Sequence, residues 1–176
     1  LINGSIDLAY ARAADGGPVP PLQLIYCRLD SKCVLTGCSM GELDFRDSEI
    51  EALWAHKIQT LRHIWLDRVR VADGALFQGA AIGGDFSAVD ARFNTKKSLA
   101  LRLDNSNIGG DVFLRNAVCE GGTNCFGLIT KGQISATGAK FRNEDGIAVR
   151  FDKSEIYGGV FLNEVECNGQ ADCAVM

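Results

Sequence analysis

One apolar or small residue recurs every five or six positions along almost the whole chain. From the middle, the series reads Met40, Phe45, Ile50, Ala55, Thr60, Leu66, Val71, Phe77, Ile82, Ala88, Phe93, and resumes at Leu103, Ile108, Leu114, Cys119, Cys125, Thr130, Ala136, Phe141, Phe151, Ile156, Leu162, Cys167 and Cys173. Backwards it runs through Leu35, Leu29 and Leu24, then across a proline-containing gap to Ala13, Leu8 and Ile2. A helix does not explain such steps, because a 3.6-residue period places apolar residues three and four apart. Even the best helical candidate, residues 51–70, fits the longer step. A four-sided solenoid explains it. Each unit is one short extended side plus a corner, with its anchor pointing inward. A second small or apolar residue two places before many anchors (Cys27, Cys38, Ser48, Ala80, Ala91, Ser106, Ala117, Ala139, Ser154) also points inward, because side chains alternate along an extended segment.

The gaps sort the coils. Four of them make a coil of 22 residues, a longer loop makes it 26, and a plain 20-residue coil lies between Met40 and Thr60. A 22 and a 26 together give the 48-residue echo in which Asp104-Asn-Ser-Asn-Ile-Gly-Gly-Asp-Val-Phe-Leu114 returns as Asp152-Lys-Ser-Glu-Ile-Tyr-Gly-Gly-Val-Phe-Leu162. Stacking equivalent sides pairs every backbone group with the coils above and below, and no coil is stable alone. The expected fold is therefore all-β, a right-handed parallel β-helix of 20–26 residues per coil and about seven coils, forming one domain over residues 1–176. Ile108, Leu114, Phe141, Phe151, Ile156 and Leu162 are expected to be almost wholly buried.

Composition agrees. Gly is frequent at 20 residues and Pro rare at 3, which suits many tight turns between short strands. Hydrophobic residues make up 47%, too many for a disordered chain. No apolar run reaches the ~18 residues of a membrane span, so no transmembrane segment is expected. A net charge of −4 argues against direct binding of nucleic acid. Leu1 and Met176 read as cut edges of a longer chain.

The anchors and their small partners resemble the pentapeptide-repeat family, whose units carry a small residue, any residue, then Leu or Phe. The Ile-Gly-Gly blocks at 82–88, 108–114 and 156–162 are similar to a group of bacterial β-helix proteins with longer coils, some of them labelled membrane-associated oxidoreductases. That resemblance implies a parallel β-helix in the bacterial cytoplasm or at the membrane periphery. The alternating six-residue corners depart from the five-residue pattern, and the chain has neither Gly-x-Gly-x-x-Gly nor Cys-x-x-Cys to support redox chemistry.

The corners separate into two edges. One stacks Gly83-Gly84, Gly109-Gly110, Gly132 and Gly158-Gly159, where glycine supplies either a positive φ or a close approach between coils. The opposite edge stacks Asp73-Gly74, a loop at Asn94–Ser98, Cys119–Cys125, a loop at Asn143–Gly146 and Cys167–Cys173. Loops on one face of a rigid scaffold are where local binding is expected. Cys119 with Cys125, and Cys167 with Cys173, flank equivalent corners, so each pair is a candidate disulfide in an oxidising compartment. The alternative is that these cysteines, like Cys27 and Cys38, fill the columns as small hydrophobes. Zinc would need ligands from both pairs, two coils or ~9.6 Å apart. His56 and His63 have no Ser or Cys motif beside them. The acidic pairs Asp44/Asp47 and Glu144/Asp145 sit on corners, where carboxylates are usually solvated.

No residue departs from repeat logic as catalysis would require, so no catalytic residue, metal or cofactor is expected. The leading expectation is a non-enzymatic structural or protein-interaction scaffold, with a protein partner or self-association through the coil ends. The alternatives are an acidic DNA mimic that binds a DNA-handling enzyme, or the regulatory part of an oxidoreductase. A mimic needs an acidic column along one face, yet Lys96, Lys97, Arg102, Lys131, Lys140 and Arg142 interrupt the acids.

Overall fold

The computed structural model describes residues 1–172, apart from the side chains of 96–98. They form a parallel β-solenoid of about seven turns, with no helix among the described residues. Each turn visits four walls. Wall I carries two-residue strands such as Cys33–Val34, Leu53–Trp54 and Ala75–Leu76. Wall II carries Ser39–Met40, Gln59–Thr60, Ala81–Ile82 and their successors. Wall III carries Leu43–Asp44, Ile64–Trp65, Phe86–Ser87, Val112–Phe113 and Ile134–Ser135. Wall IV carries Arg28–Leu29, Glu49–Ile50 and Arg70–Val71.

The register reproduces the spacing in the sequence. On wall II, Met40 pairs with Thr60, Thr60 with Ile82 and Ile82 with Ile108, which are the 20-, 22- and 26-residue coils. On wall IV the inner column runs Ile2, Leu29, Ile50, Val71, Phe93, Cys119, Phe141, Cys167. Walls I and III each turn two residues inward per coil, and their volumes complement one another, as in Leu53 with Ala55 and Ala75 with Phe77, all fully buried. The small residues that precede the wall II and wall IV anchors are buried too, with Cys27 only partly so. Three of them are serines that bond to the coil before: Ser48 Oγ donates to the Leu24 carbonyl (2.7 Å), Ser106 to Phe77 (2.8 Å) and Ser154 to Cys125 (2.8 Å).

The corners obey two rules. Between walls I and II, and between III and IV, the anchor carbonyl accepts the N–H three residues on, as Leu35 does from Cys38 (3.1 Å) and Leu103 from Ser106 (3.2 Å). The second central residue of this turn is left-handed. Gly37 fills that place, but so do Lys57 (φ 53°), Arg68 (57°) and Asn105 (54°). The next coil holds them there, since Lys57 N–H donates to the Gln78 carbonyl at 2.9 Å and Arg68 N–H to Val89 at 2.8 Å. At the glycine-rich corner between walls II and III, glycine serves the close approach instead. A Cβ at Gly83 would fall on the Leu61 carbonyl, one at Gly109 on the Gly83 carbonyl, and one at Gly158 2.7 Å from the Gly132 carbonyl oxygen. Beside this corner a side-chain ladder joins the coils. His63 Nδ1 accepts the Asp85 N–H (3.0 Å), Asp85 Oδ1 the Asp111 N–H (2.8 Å), and Asp111 Oδ1 the Gln133 N–H (2.8 Å).

Three expectations are corrected. The segments read as loops at Asn94–Ser98 and Asn143–Gly146 are extended, inside the 11-residue strands Arg92–Arg102 and Lys140–Arg150. These strands cross the variable corner from wall IV to wall I, taking up the extra residues as register shifts. At the start of the chain, Val19 rather than Ala13 pairs with Met40, because a turn closed by Ala13 N–H to the Gly17 carbonyl (2.8 Å) holds Ala13 out of the column. Ile108, Leu114, Phe141 and Phe151 are buried as expected, but Leu162 is 42% exposed and Ile156 half-buried, since no described coil stacks on the last one.

Candidate binding groove at the variable corner

The long strands turn the variable corner into a rim over wall I. Trp54 and Leu76 occupy the same outward column, two coils of one flat wall. In the next coil the strand Arg92–Arg102 leaves wall IV, and its Thr95 and Leu99 stand beside Asp73-Gly74 of the coil before. The Gly74 N–H donates to the Asn94 carbonyl at 2.8 Å, which fixes this rim to the wall. Between rim and wall lies a groove of about 300 Å³, lined by Trp54, His56, Asp73, Leu76, Leu99 and Arg102 among others.

Its electrostatics are set by fixed partners. Arg102 binds Asp104 through Nε and Nη2, both at 2.8 Å, and that carboxylate is almost fully buried. Burial, and then the charge of Arg102, push the His56 pKa below its ordinary value, so the ring is held neutral. Lys32 Nζ lies 4.6 Å from the Trp54 ring centroid. The groove thus joins an aromatic surface and two leucines to one neutral imidazole, one paired guanidinium and one carboxylate. That chemistry suits binding of an amphipathic segment.

The candidate residues from the sequence fall in several places. Cys119, in the strand Val118–Asn124 on wall IV, and Cys125, just past its end on wall I, are both buried and face inward. Thr123 faces inward between them. Burial lifts the Cys119 thiol to about 12, while the Thr123 hydroxyl draws it down by a smaller amount. Among the described residues, Thr123 Oγ1 is the buried side-chain oxygen that lacks a well-formed hydrogen bond. Cys167 is exposed, and Cys173 lies outside the described residues. His63 stacks on Trp65 of wall III with centroids 4.8 Å apart, far along the coil from His56. Asp44 and Asp47 do not face one another. Asp44 is fully buried with Arg46 at 2.6 Å, and Asp47 binds Arg68 at 2.6 Å. Glu144 and Asp145 are exposed.

The groove was not assembled from the sequence, because its residues are up to 48 positions apart and meet only once wall and rim are placed. One carboxyl pair was also missed. A hydrogen bond with Asp152, then burial and the Asp152 charge, raise the Asp172 carboxyl above its usual range. The sequence signal for it is that both stand in adjacent coils at the end of wall I. No group of three or more His, Cys, Asp or Glu among the described residues is arranged to hold a metal ion, and no helix there is long and apolar enough to cross a membrane. Compared with family models, with curated proteins and with solved structures, the chain matches none.

Proposed function

We propose that this chain is a non-enzymatic protein-interaction scaffold that docks a partner segment in the wall I groove. The observation that carries this reading is the joining of an apolar wall, Trp54 and Leu76, to the corner that takes up the long insertions. The wall fixes position, and the insertion at Thr95–Leu99 supplies the feature that differs from the repeat. The DNA-mimic alternative has weaker support, because acids on wall IV alternate with bases: Glu49 lies between Arg28 (4.0 Å) and Arg70 (3.6 Å).

A photo-reactive amino acid at Leu76, on wall I, and another at Gln59, on wall II, test the docking reading in cells. The expected result is a discrete cross-linked protein from Leu76 and none from Gln59. Equal labelling from both positions, or substrate turnover by the purified chain, would overturn it.

A further inference from the structure

Wall III carries a periodic surface that the groove does not use. Its outward column reads Asp44, Trp65, Ser87, Phe113, Ser135, Phe161, one residue per coil in strict register. Aromatic rings alternate with small polar residues, and Trp65, Phe113 and Phe161 stand 48 residues apart in the chain. Two coils separate successive rings, which places them ~9.6 Å apart along the solenoid axis. The residues between are short and little exposed: Ser87 is 3% and Ser135 7% exposed although both stand in the outward column. The rings are only partly covered. Two of the rings already carry polar groups against their faces: Arg46 lies over Trp65 at 5.9 Å and Arg115 over Phe113 at 5.0 Å from the centroid, and His63 stacks on Trp65 at 4.8 Å, so a ligand shares each ring with a side chain that can hydrogen-bond to it.

A column of similar subsites with translational repeat fits a ligand with the same repeat, and an extended polymer supplies one along its whole length. The ring spacing is close to the disaccharide repeat of an extended β-1,4-linked glycan, in which every second sugar presents the same apolar face. The acids beside the first coils of the strip are paired, Asp44 with Arg46, Glu42 with Arg62 (3.3 Å) and Asp47 with Arg68, so an uncharged polymer meets no bare carboxylate there. Wall II lacks such a column, its outward residues being Ser39, Gln59, Ala81, Asn107 and Ile129. We propose that wall III binds an uncharged β-1,4-linked glycan laid along the solenoid axis, with sugar faces on Trp65, Phe113 and Phe161.

Calorimetric titration of the chain with cellohexaose and with N-acetylated chitohexaose tests this, with maltohexaose, whose α-linkages curl, as the control. Saturable binding of at least one β-linked hexasaccharide and none of maltohexaose is the expected result. Trp65→Ser and Phe113→Ser place in these coils the residue that the same column already carries at Ser87 and Ser135, so the fold is retained. Each is expected to weaken binding about tenfold, as loss of a stacked ring does, and the pair to abolish it. Gln59→Ala on wall II is expected to change nothing. Ring-proton shifts of Phe113 and Phe161 on titrating the unaltered protein read the same contact without any substitution. No binding of either β-linked probe, equal binding of maltohexaose, unmoved ring protons, or full affinity in the folded double variant would overturn the proposal.

Discussion

Inside the columns, single atoms decide how well a position fits. Thr123 occupies an inner place that Ala75, Leu101 and Val149 fill in other coils of wall I, and its hydroxyl has no well-formed partner there. Thr123→Val keeps the shape and removes the desolvated oxygen, so chemical denaturation is expected to show a gain of about 1 kcal/mol. His56 sets a pH dependence. Its folded pKa is lowered, so the neutral form favours the fold. That contribution is complete above the unfolded value of about 6.5 and is lost as pH falls through the folded pKa. Urea unfolding at neutral and mildly acid pH is expected to show a loss of stability that His56→Gln reduces. If the chain is oxidised, mapping of non-reduced peptides is expected to find Cys119–Cys125 and Cys167–Cys173 as local pairs. A cross-link from Cys27 to Cys167 would contradict the stacking order. Cys119 is enclosed and its thiol is pushed up to about 12, so a bridge there must form before the coils close.

Strands and corners show what the sequence made legible. The anchor series located every wall, because burial of one residue per side leaves a period that no helix shares. The glycine corner was legible as a corner, while its reason needed the stacked carbonyls. Gly109→Ala, which sets a Cβ on the Gly83 carbonyl, is expected to cost about 1–3 kcal/mol in thermal unfolding. The left-handed turns were not legible. Lys57 and Arg68 look like ordinary surface residues, and their φ is imposed by inter-coil hydrogen bonds rather than by their own preference. The crossing strands at Arg92–Arg102 and Lys140–Arg150 were missed for a related reason. Asn94 and Lys96 signal a loop locally, but the neighbouring strand Val118–Asn124 offers paired backbone along the corner. The groove and the wall III strip were beyond a linear reading, since both depend on which outward residues share a wall.

For the whole molecule, stability is a sum over coils and their interfaces, as in other solenoids. Nearest-neighbour columns carry the fold, and the outer walls remain available to bind. The 48-residue period then has a direct consequence. Removing Leu103–Arg150 joins Arg102 to Phe151, residues that follow one another in register because Arg102 and Arg150 share the outward column of wall I through Asn124. Thermal unfolding of this two-coil deletion, followed by circular dichroism, tests the stacking most directly. The account predicts a cooperative transition with an undiminished β signal per residue, from a solenoid two coils shorter. A non-cooperative, unfolded or aggregated product would contradict it.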